Sequence, residues 1–136
     1  MSMQDFERIA KLGDGAQGKV YHVRHKATGK EYALKAIQCK DQEQVNHALK
    51  EVKVLIQLRH RHVVTYTDFF LHFEGESRAT MFVCLVMERC TGGTMDGRVR
   101  KVKSEFMAEG KHSMPEAEVV RYLRQCAEAL AYVHSQ

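Results

Sequence analysis

Extended segments separated by short turns dominate the first part of the chain. The segment Lys19–Arg24 is rich in Val, Tyr and His, and Glu31–Cys39 is again extended and apolar. Between them, Ala27–Lys30 has the composition of a turn, so the three segments together predict a β-hairpin. A strand is also expected at Phe6–Leu12, and the continuous apolar run Met81–Met87 predicts a strand that is buried on both faces.

A helical pattern covers Gln42–Leu58. Its apolar stripe consists of Val45, Leu49, Val52 and Ile56. Glu51 lies beside this stripe in a row of apolar residues, and His47 is the only basic residue three or four positions away. Two interpretations stay open for Glu51: a solvated helix carboxylate, or a buried carboxylate that needs a cation from another element.

Lys35 is the candidate cation for that pair. The two-residue period of a strand places Lys35 on the same face as Ala33 and Ile37, between two apolar neighbours. The lysine therefore either extends along the sheet to reach water or pairs with Glu51.

The glycine motif Gly13-x-Gly15-x-x-Gly18 precedes the hairpin. Glycine has no Cβ, so the backbone N–H groups of such a loop can approach an anion closely. A dinucleotide-binding fold would need a helix to begin at Gly18, but the sequence continues as a strand. A P-loop would need Ser or Thr where Val20 stands. The motif therefore favours a hairpin that covers phosphate groups.

A polar break and two helices follow the buried strand. Glu88–Gly93 is polar and flexible, Thr94–Phe106 predicts a basic helix, and Met107–His112 predicts a polar loop. Glu116–His134 predicts an amphipathic helix with the apolar stripe Val119, Leu123, Cys126, Leu130 and Val133.

The start of that last helix has its own signals. Ser113 is the expected N-cap, and Glu116 stands three residues later, as in a capping box. Pro115 is expected within the first turn, where no amide hydrogen bond is lost.

Taken together, the motifs resemble the N-terminal half of a eukaryotic protein kinase domain. The resemblance rests on the glycine motif with Val20, on Lys35 and Glu51, and on the segment Val86–Gly93, which agree in order and spacing. The hinge sequence and the turn Arg59–Val64 most resemble NIMA-related serine/threonine kinases. The resemblance implies an α+β fold: an N-lobe of about five antiparallel strands and one long helix at residues 1–87, a hinge at 88–94, and the first helices of a truncated C-lobe at 95–136.

The resemblance also implies roles for individual residues, with ATP and Mg²⁺ as cofactors. Lys35 would hold the α- and β-phosphates, and Glu51 would orient Lys35. The glycine loop over the phosphates consists of Gly13, Asp14, Gly15, Ala16, Gln17 and Gly18. Around adenine and ribose the implied contacts are Leu12, Val20, Ala33, Met87, the Glu88 C=O, the Cys90 N–H and Thr94.

These residues imply an ATP-dependent protein kinase, expected to be serine/threonine-directed. The catalytic-loop H-R-D and the metal-binding D-F-G motifs do not occur in the 136 residues. We therefore expect the chain alone to be inactive, with no metal ligands of its own. The alternative is a non-catalytic, pseudokinase-like fragment that binds a nucleotide or a partner.

Composition narrows the partners and the location. The net charge is +4, a mild excess that does not require nucleic acid. No apolar run is long enough for a membrane span, and the first residues do not resemble a secretory signal. We expect a cytoplasmic protein, with the nucleus as the other location, and ATP and a protein substrate as its partners. Self-association through the exposed face of Glu116–His134 is also expected.

The cysteines and histidines do not have the spacing of a metal site. Cys39, Cys84 and Cys126 occupy apolar stretches and are expected to be buried thiols in a reducing compartment. His60 and His62 are expected in a turn that joins the helix to a strand.

Overall fold

A computed structural model describes residues 1–16, 18–109 and 114–136, and leaves out the side chains of 106–109. Gln17, Ser113 and the second half of the predicted loop Met107–His112 lie outside the described residues. Contacts between residues divide the chain into two units. The first comprises Met1–Arg59 and Val63–Arg89, and the second comprises His60–His62 and Cys90–Gln136.

The first unit is built on a five-stranded antiparallel sheet with strand order β1-β2-β3-β5-β4. The strands are β1 (Phe6–Gly15), β2 (Gly18–His25), β3 (Glu31–Cys39), β4 (Tyr66–Glu74) and β5 (Thr80–Met87). Short 3₁₀ turns cover Met3–Asp5 and Glu76–Arg78. The α+β fold class with an antiparallel sheet is thus confirmed, and β1 continues three residues beyond its predicted end at Leu12.

Helix α1 (Gln42–Leu55) begins at the N-cap Asp41, whose side chain accepts a hydrogen bond from the Gln44 N–H at 2.9 Å. The predicted end at Leu58 is wrong. The last turn tightens into i to i+3 bonds, and the Arg59 guanidinium donates to the carbonyl of Leu58 at 2.8 Å, so the chain leaves the helix there.

The two faces of β3 pack into separate apolar clusters, as the two-residue period predicts. On one face, Leu34 and Ala36 join a cluster with Phe6, Val23, Phe70, Cys84 and Val86. On the other, Cys39 joins a cluster with Val45, Ala48, Val52, Val83 and Leu85. The second cluster contains the buried stripe of α1, which holds that helix across the sheet.

The second unit contains α2 (Met95–Glu109) and α3 (Glu116–His134). The prediction of a loop from Met107 is wrong for 107–109, which continue α2. Pro115 is the N-cap of α3, so the prediction that it lies within the first turn is wrong.

An ion pair between Arg98 of α2 and Glu118 of α3 links the two helices. The Arg98 guanidinium donates to both carboxylate oxygens of Glu118, at 2.7 and 2.9 Å, and Tyr122 adds a hydrogen bond at 2.9 Å. These hydrogen bonds lower the pKa of Glu118 to about 2, and the bond from Arg98 has the largest effect.

The predicted apolar stripe of α3 is exposed. Leu123 is 66% exposed and Leu130 is 55% exposed, and α3 has no buried residue among those described. Cys126 is exposed as well, so its predicted burial is wrong, whereas Cys39 and Cys84 are buried. Burial and, to a lesser degree, the charge of Glu74 raise the pKa of Cys84 to about 12. Self-association through this face stays a prediction.

The three-residue segment His60–His62 belongs to the second unit, a placement that the sequence does not indicate. The His60 ring stacks on Tyr132 with the ring centroids 5.1 Å apart, and His62 Nε2 lies 3.3 Å from Glu128 Oε2. Across the described residues, no helix is both long and apolar enough to cross a membrane.

Candidate functional site

The glycine motif forms the tight end of the β1–β2 hairpin. Gly15 pairs with Gly18, and Gly13 pairs with Val20, in the antiparallel register of the two strands. Beside them, Lys11 Nζ donates to Asp14 Oδ2 at 2.6 Å, and this hydrogen bond lowers the pKa of Asp14. The motif therefore lies on a hairpin, as the sequence predicts, and not at the start of a helix.

The three glycines differ in what the fold requires of them. Gly18 has φ +135°, and a Cβ built there would lie 2.2 Å from the carbonyl oxygen of Ala36 on the neighbouring strand. Gly13 and Gly15 have ordinary φ angles, and a Cβ at either would meet nothing within 4 Å. Packing therefore explains Gly18 only, and the other two glycines leave bare backbone beside open space.

An open cleft of about 1050 Å³ lies in the first unit. It is lined in part by the predicted phosphate-end residues Asp14, Gly15, Ala16, Gly18, Lys35 and Glu51. Since these residues come from the hairpin, from β3 and from α1, the fold brings together groups that are far apart in sequence. The hairpin backbone and the Lys35 ammonium can both face an anion in this cleft.

Other predicted contacts lie in the sheet but outside the lining of this cleft. Val20 is the cross-strand partner of Lys35, and Ala33 is the cross-strand partner of Met87. Leu12 is skipped at a register shift in β1. The roles of these residues around adenine stay predictions.

Lys35 and Glu51 do not form the predicted ion pair. Lys35 is half-buried on its strand and makes no ion pair with any residue that the structure describes. Glu51 is 67% exposed, and its Oε1 lies 3.5 Å from His47 Nε2 on the same helix. The structure thus has the solvated carboxylate that the sequence left open, paired with the only basic helical neighbour.

Glu88 is anchored by two hydrogen bonds to Thr65. The Glu88 N–H donates to the Thr65 carbonyl at 2.9 Å, and Glu88 Oε1 accepts from the Thr65 N–H at 2.7 Å. The backbone at the end of β5 is therefore held on one side by the residue that precedes β4.

A cluster of ionisable side chains around Glu31 contacts Arg89, the residue that follows Glu88. Glu31, at the start of β3, lies 3.1 Å from Arg89, 3.3 Å from His22 and 3.4 Å from Arg24. Desolvation acts to raise the pKa of Glu31, but His22, Arg24 and Arg89 outweigh it, and the net pKa is lowered. The periodicity of the sequence does not predict this cluster. The hairpin register could have revealed the Arg24–Glu31 pair, but the contact with Arg89 spans 58 residues.

Cys90 and Thr94 belong to the second unit. Cys90 is exposed. The Thr94 hydroxyl accepts a hydrogen bond from the Gly97 N–H at 3.0 Å and so caps the start of α2. This capping bond is a structural role for Thr94, and its predicted ribose contact stays a prediction.

The described residues fit the two implied cofactors unequally. A phosphate chain suits the open glycine backbone and the unpaired Lys35. A metal ion has no comparable site, since no group of three or more His, Cys, Asp or Glu side chains is placed to hold one in the described ranges.

Comparisons with known proteins show the family to which the chain belongs. A family model described as "Protein kinase domain" matches residues 6–136. Serine/threonine-protein kinase 10-A of Xenopus laevis is 33% identical over 132 residues, which are 97% of this chain and 12% of that protein. Cyclin-dependent kinase B2-1 of Arabidopsis thaliana is 32% identical over 136 residues, 98% of this chain and 41% of that protein. Serine/threonine-protein kinase ppk22 of Schizosaccharomyces pombe is 31% identical over 132 residues, 95% of this chain and 22% of that protein.

Proposed function

Because this chain belongs to the protein kinase domain family, we propose that it supplies the ATP-binding lobe of an enzyme that transfers the γ-phosphoryl group of ATP to protein hydroxyls. By family the enzyme is a protein serine/threonine kinase. The chain spans about an eighth of the length of the Xenopus laevis relative, 12%, so the activity of the whole protein is part of the proposal.

The observation that carries the proposal is the difference between the glycines. Packing demands Gly18, but no contact among the described residues demands glycine at positions 13 and 15. A bound phosphate chain would explain glycine at both positions. Backbone N–H groups can bind phosphate oxygens closely only where no side chain intervenes. Lys35, on the same cleft as Gly15, supplies the positive charge.

The hairpin, Lys35 and Glu51 each have a distinct role in this proposal. The hairpin covers the phosphates, and the Lys35 ammonium binds the α- and β-phosphate oxygens. Glu51 would orient Lys35 after leaving His47, so the observed arrangement corresponds to an inactive position of α1. Mg²⁺ use follows from the family in general, and the described residues offer no ligand set for it.

ATP binding tests the phosphate role of Lys35. We expect Lys35→Met to weaken ATP binding at least about tenfold in isothermal titration calorimetry, since a charge-assisted contact to phosphate is lost. Lys30→Met is the matched control because Lys30 is an exposed lysine of the β2–β3 turn, outside the cleft. Equal affinity of wild type and Lys35→Met would contradict the proposal.

A second function fits one specific observation. The candidate is a module that binds ATP or a partner without catalysis, and neither the H-R-D nor the D-F-G motif occurs in the 136 residues. Where the second function includes ATP binding, it uses the same site. Because the 136 residues alone are expected to be inactive in either case, an assay of phosphoryl transfer separates the two functions only for the whole enzyme.

The narrower assignments rest on sequence alone. The NIMA-related subgroup rests on the hinge sequence and on Arg59–Val64, and the relatives named above do not support it. A cytoplasmic or nuclear location and a protein substrate also belong to this proposal.

A further inference from the structure

Four ionisable side chains meet around one carboxylate in the Glu31 cluster, which consists of His22, Arg24, Glu31 and Arg89. Glu31 is the only carboxylate among these four residues. Its Oε2 is shared by Arg89 at 3.1 Å and His22 at 3.3 Å, and its Oε1 faces Arg24 at 3.4 Å. The cluster joins β2, the start of β3 and the end of β5 in one group of charges.

His22 places this cluster on the side of the sheet that carries Lys35. His22 pairs with Ala33 in the β2–β3 register, and Val20 pairs with Lys35 two residues away. Directly opposite residues of antiparallel strands point to the same face, and so do residues two apart on one strand. The His22 side chain, only 14% exposed, therefore shares a face with Ala33 and Lys35.

Arg89 connects the Glu31 cluster to the backbone at the end of β5. It directly follows Glu88, whose carbonyl is the expected acceptor for the exocyclic amine of adenine. Glu88 itself is held by Thr65 on the β4 side. The pair between Glu31 and Arg89 holds the same short backbone segment on the β3 side. Loss of either anchor leaves the carbonyl free to rotate away from the base.

We propose that Glu31, acting through Arg89, is a positioning residue that sets the Glu88 carbonyl for recognition of the nucleobase. The inference rests on the proposed function and adds a determinant of adenine affinity that is separate from the phosphate end. Its physical basis is preorganisation, because a backbone already held in place loses less entropy when the base binds.

The test compares ATP with inorganic tripolyphosphate, which presents phosphates without a base. By calorimetry, Glu31→Gln and Arg89→Gln should each weaken ATP binding about threefold to fivefold, the scale of a partly screened ion pair. Tripolyphosphate affinity should stay unchanged, since the hairpin and Lys35 are untouched. The two changes together should cost no more than either alone, because they remove the same contact.

Two variants serve as controls. Glu7→Gln removes a carboxylate that contacts Arg24 at 3.4 Å but does not touch Arg89, and it should bind ATP like wild type. Arg89→Lys keeps a cation opposite Glu31 and should recover most of the affinity that Arg89→Gln loses.

The failures of the two proposals can be told apart. If wild type binds ATP no more tightly than tripolyphosphate, base recognition is absent, and the proposed function falls together with this inference. If wild type prefers ATP and Glu31→Gln keeps the full preference, the positioning role is overturned and the proposed function stands. An equal loss of affinity for both ligands in Glu31→Gln would indicate a general destabilisation and would also overturn the positioning role.

Discussion

Replacing Gly18 by alanine tests the close approach at the end of the glycine hairpin. The added Cβ would lie 2.2 Å from the Ala36 carbonyl oxygen and 3.1 Å from the Ala36 carbonyl carbon. Both atoms belong to the backbone of β3, which is paired on both sides, so neither can move aside as a flexible side chain would. The hairpin has to shift instead.

Two costs add up in this variant. A non-glycine residue at φ +135° carries backbone strain of about 1–3 kcal/mol. Forcing an extra methyl group against packed atoms costs a further 1–3 kcal/mol or so. A loss of at least about 2 kcal/mol follows, which is a large part of the 5–15 kcal/mol or so that stabilises a typical domain. At roughly 4–8 °C per kcal/mol for a unit of this size, the melting temperature should fall by about 10 °C.

Thermal unfolding followed by far-ultraviolet circular dichroism, without nucleotide, measures this loss. Gly29→Ala is one matched control, since its φ is +72° and its Cβ would meet nothing within 4 Å; it therefore reports backbone strain alone. Gly13→Ala is the other, with neither strain nor a close contact, and should melt within a few degrees of wild type or slightly above it. If Gly18→Ala melts like Gly13→Ala, the close approach to Ala36 does not exist and the reasoning is refuted.

Two further predictions concern the charged pair of the second unit and catalysis. Since Glu118 has its pKa lowered from 4.5 to about 2 in the folded chain, its contribution to stability is present above pH 4.5 and is lost as the pH falls towards 2. Glu118→Gln should therefore flatten the acid-induced loss of helical signal in that range, whereas Glu116→Gln, an exposed carboxylate at the start of the same helix, should leave it steep. The 136 residues alone should transfer no phosphoryl group from radiolabelled ATP with Mg²⁺ to a generic protein substrate, because the H-R-D and D-F-G carboxylates do not occur in them. Incorporation that Lys35→Met abolishes would contradict this expectation.

Local periodicity determined several elements of the fold. The predicted bounds of Glu31–Cys39 and Glu116–His134 match β3 and α3, because turn residues directly precede the strand and an apolar stripe at helical spacing runs through the helix. The division of β3 into two packed faces follows from the same period. The strand Tyr66–Glu74 was not delimited, since Phe69, Phe70 and Leu71 are consecutive and the expected alternation is lost at this edge of the sheet.

The site residues also divide into those that the sequence identifies and those whose contacts depend on the tertiary structure. The sequence by itself identified the glycine motif, Lys35 and Glu51, because each stands out against the pattern of its own element. Only the tertiary structure decided which charges meet. It left Lys35 and Glu51 without an ion pair to each other, it paired Glu31 with Arg89, and it showed that Gly18 alone of the three motif glycines is required by packing among the described residues. Those outcomes depend on where α1, β5 and the hairpin lie in space, which periodicity along one segment does not encode.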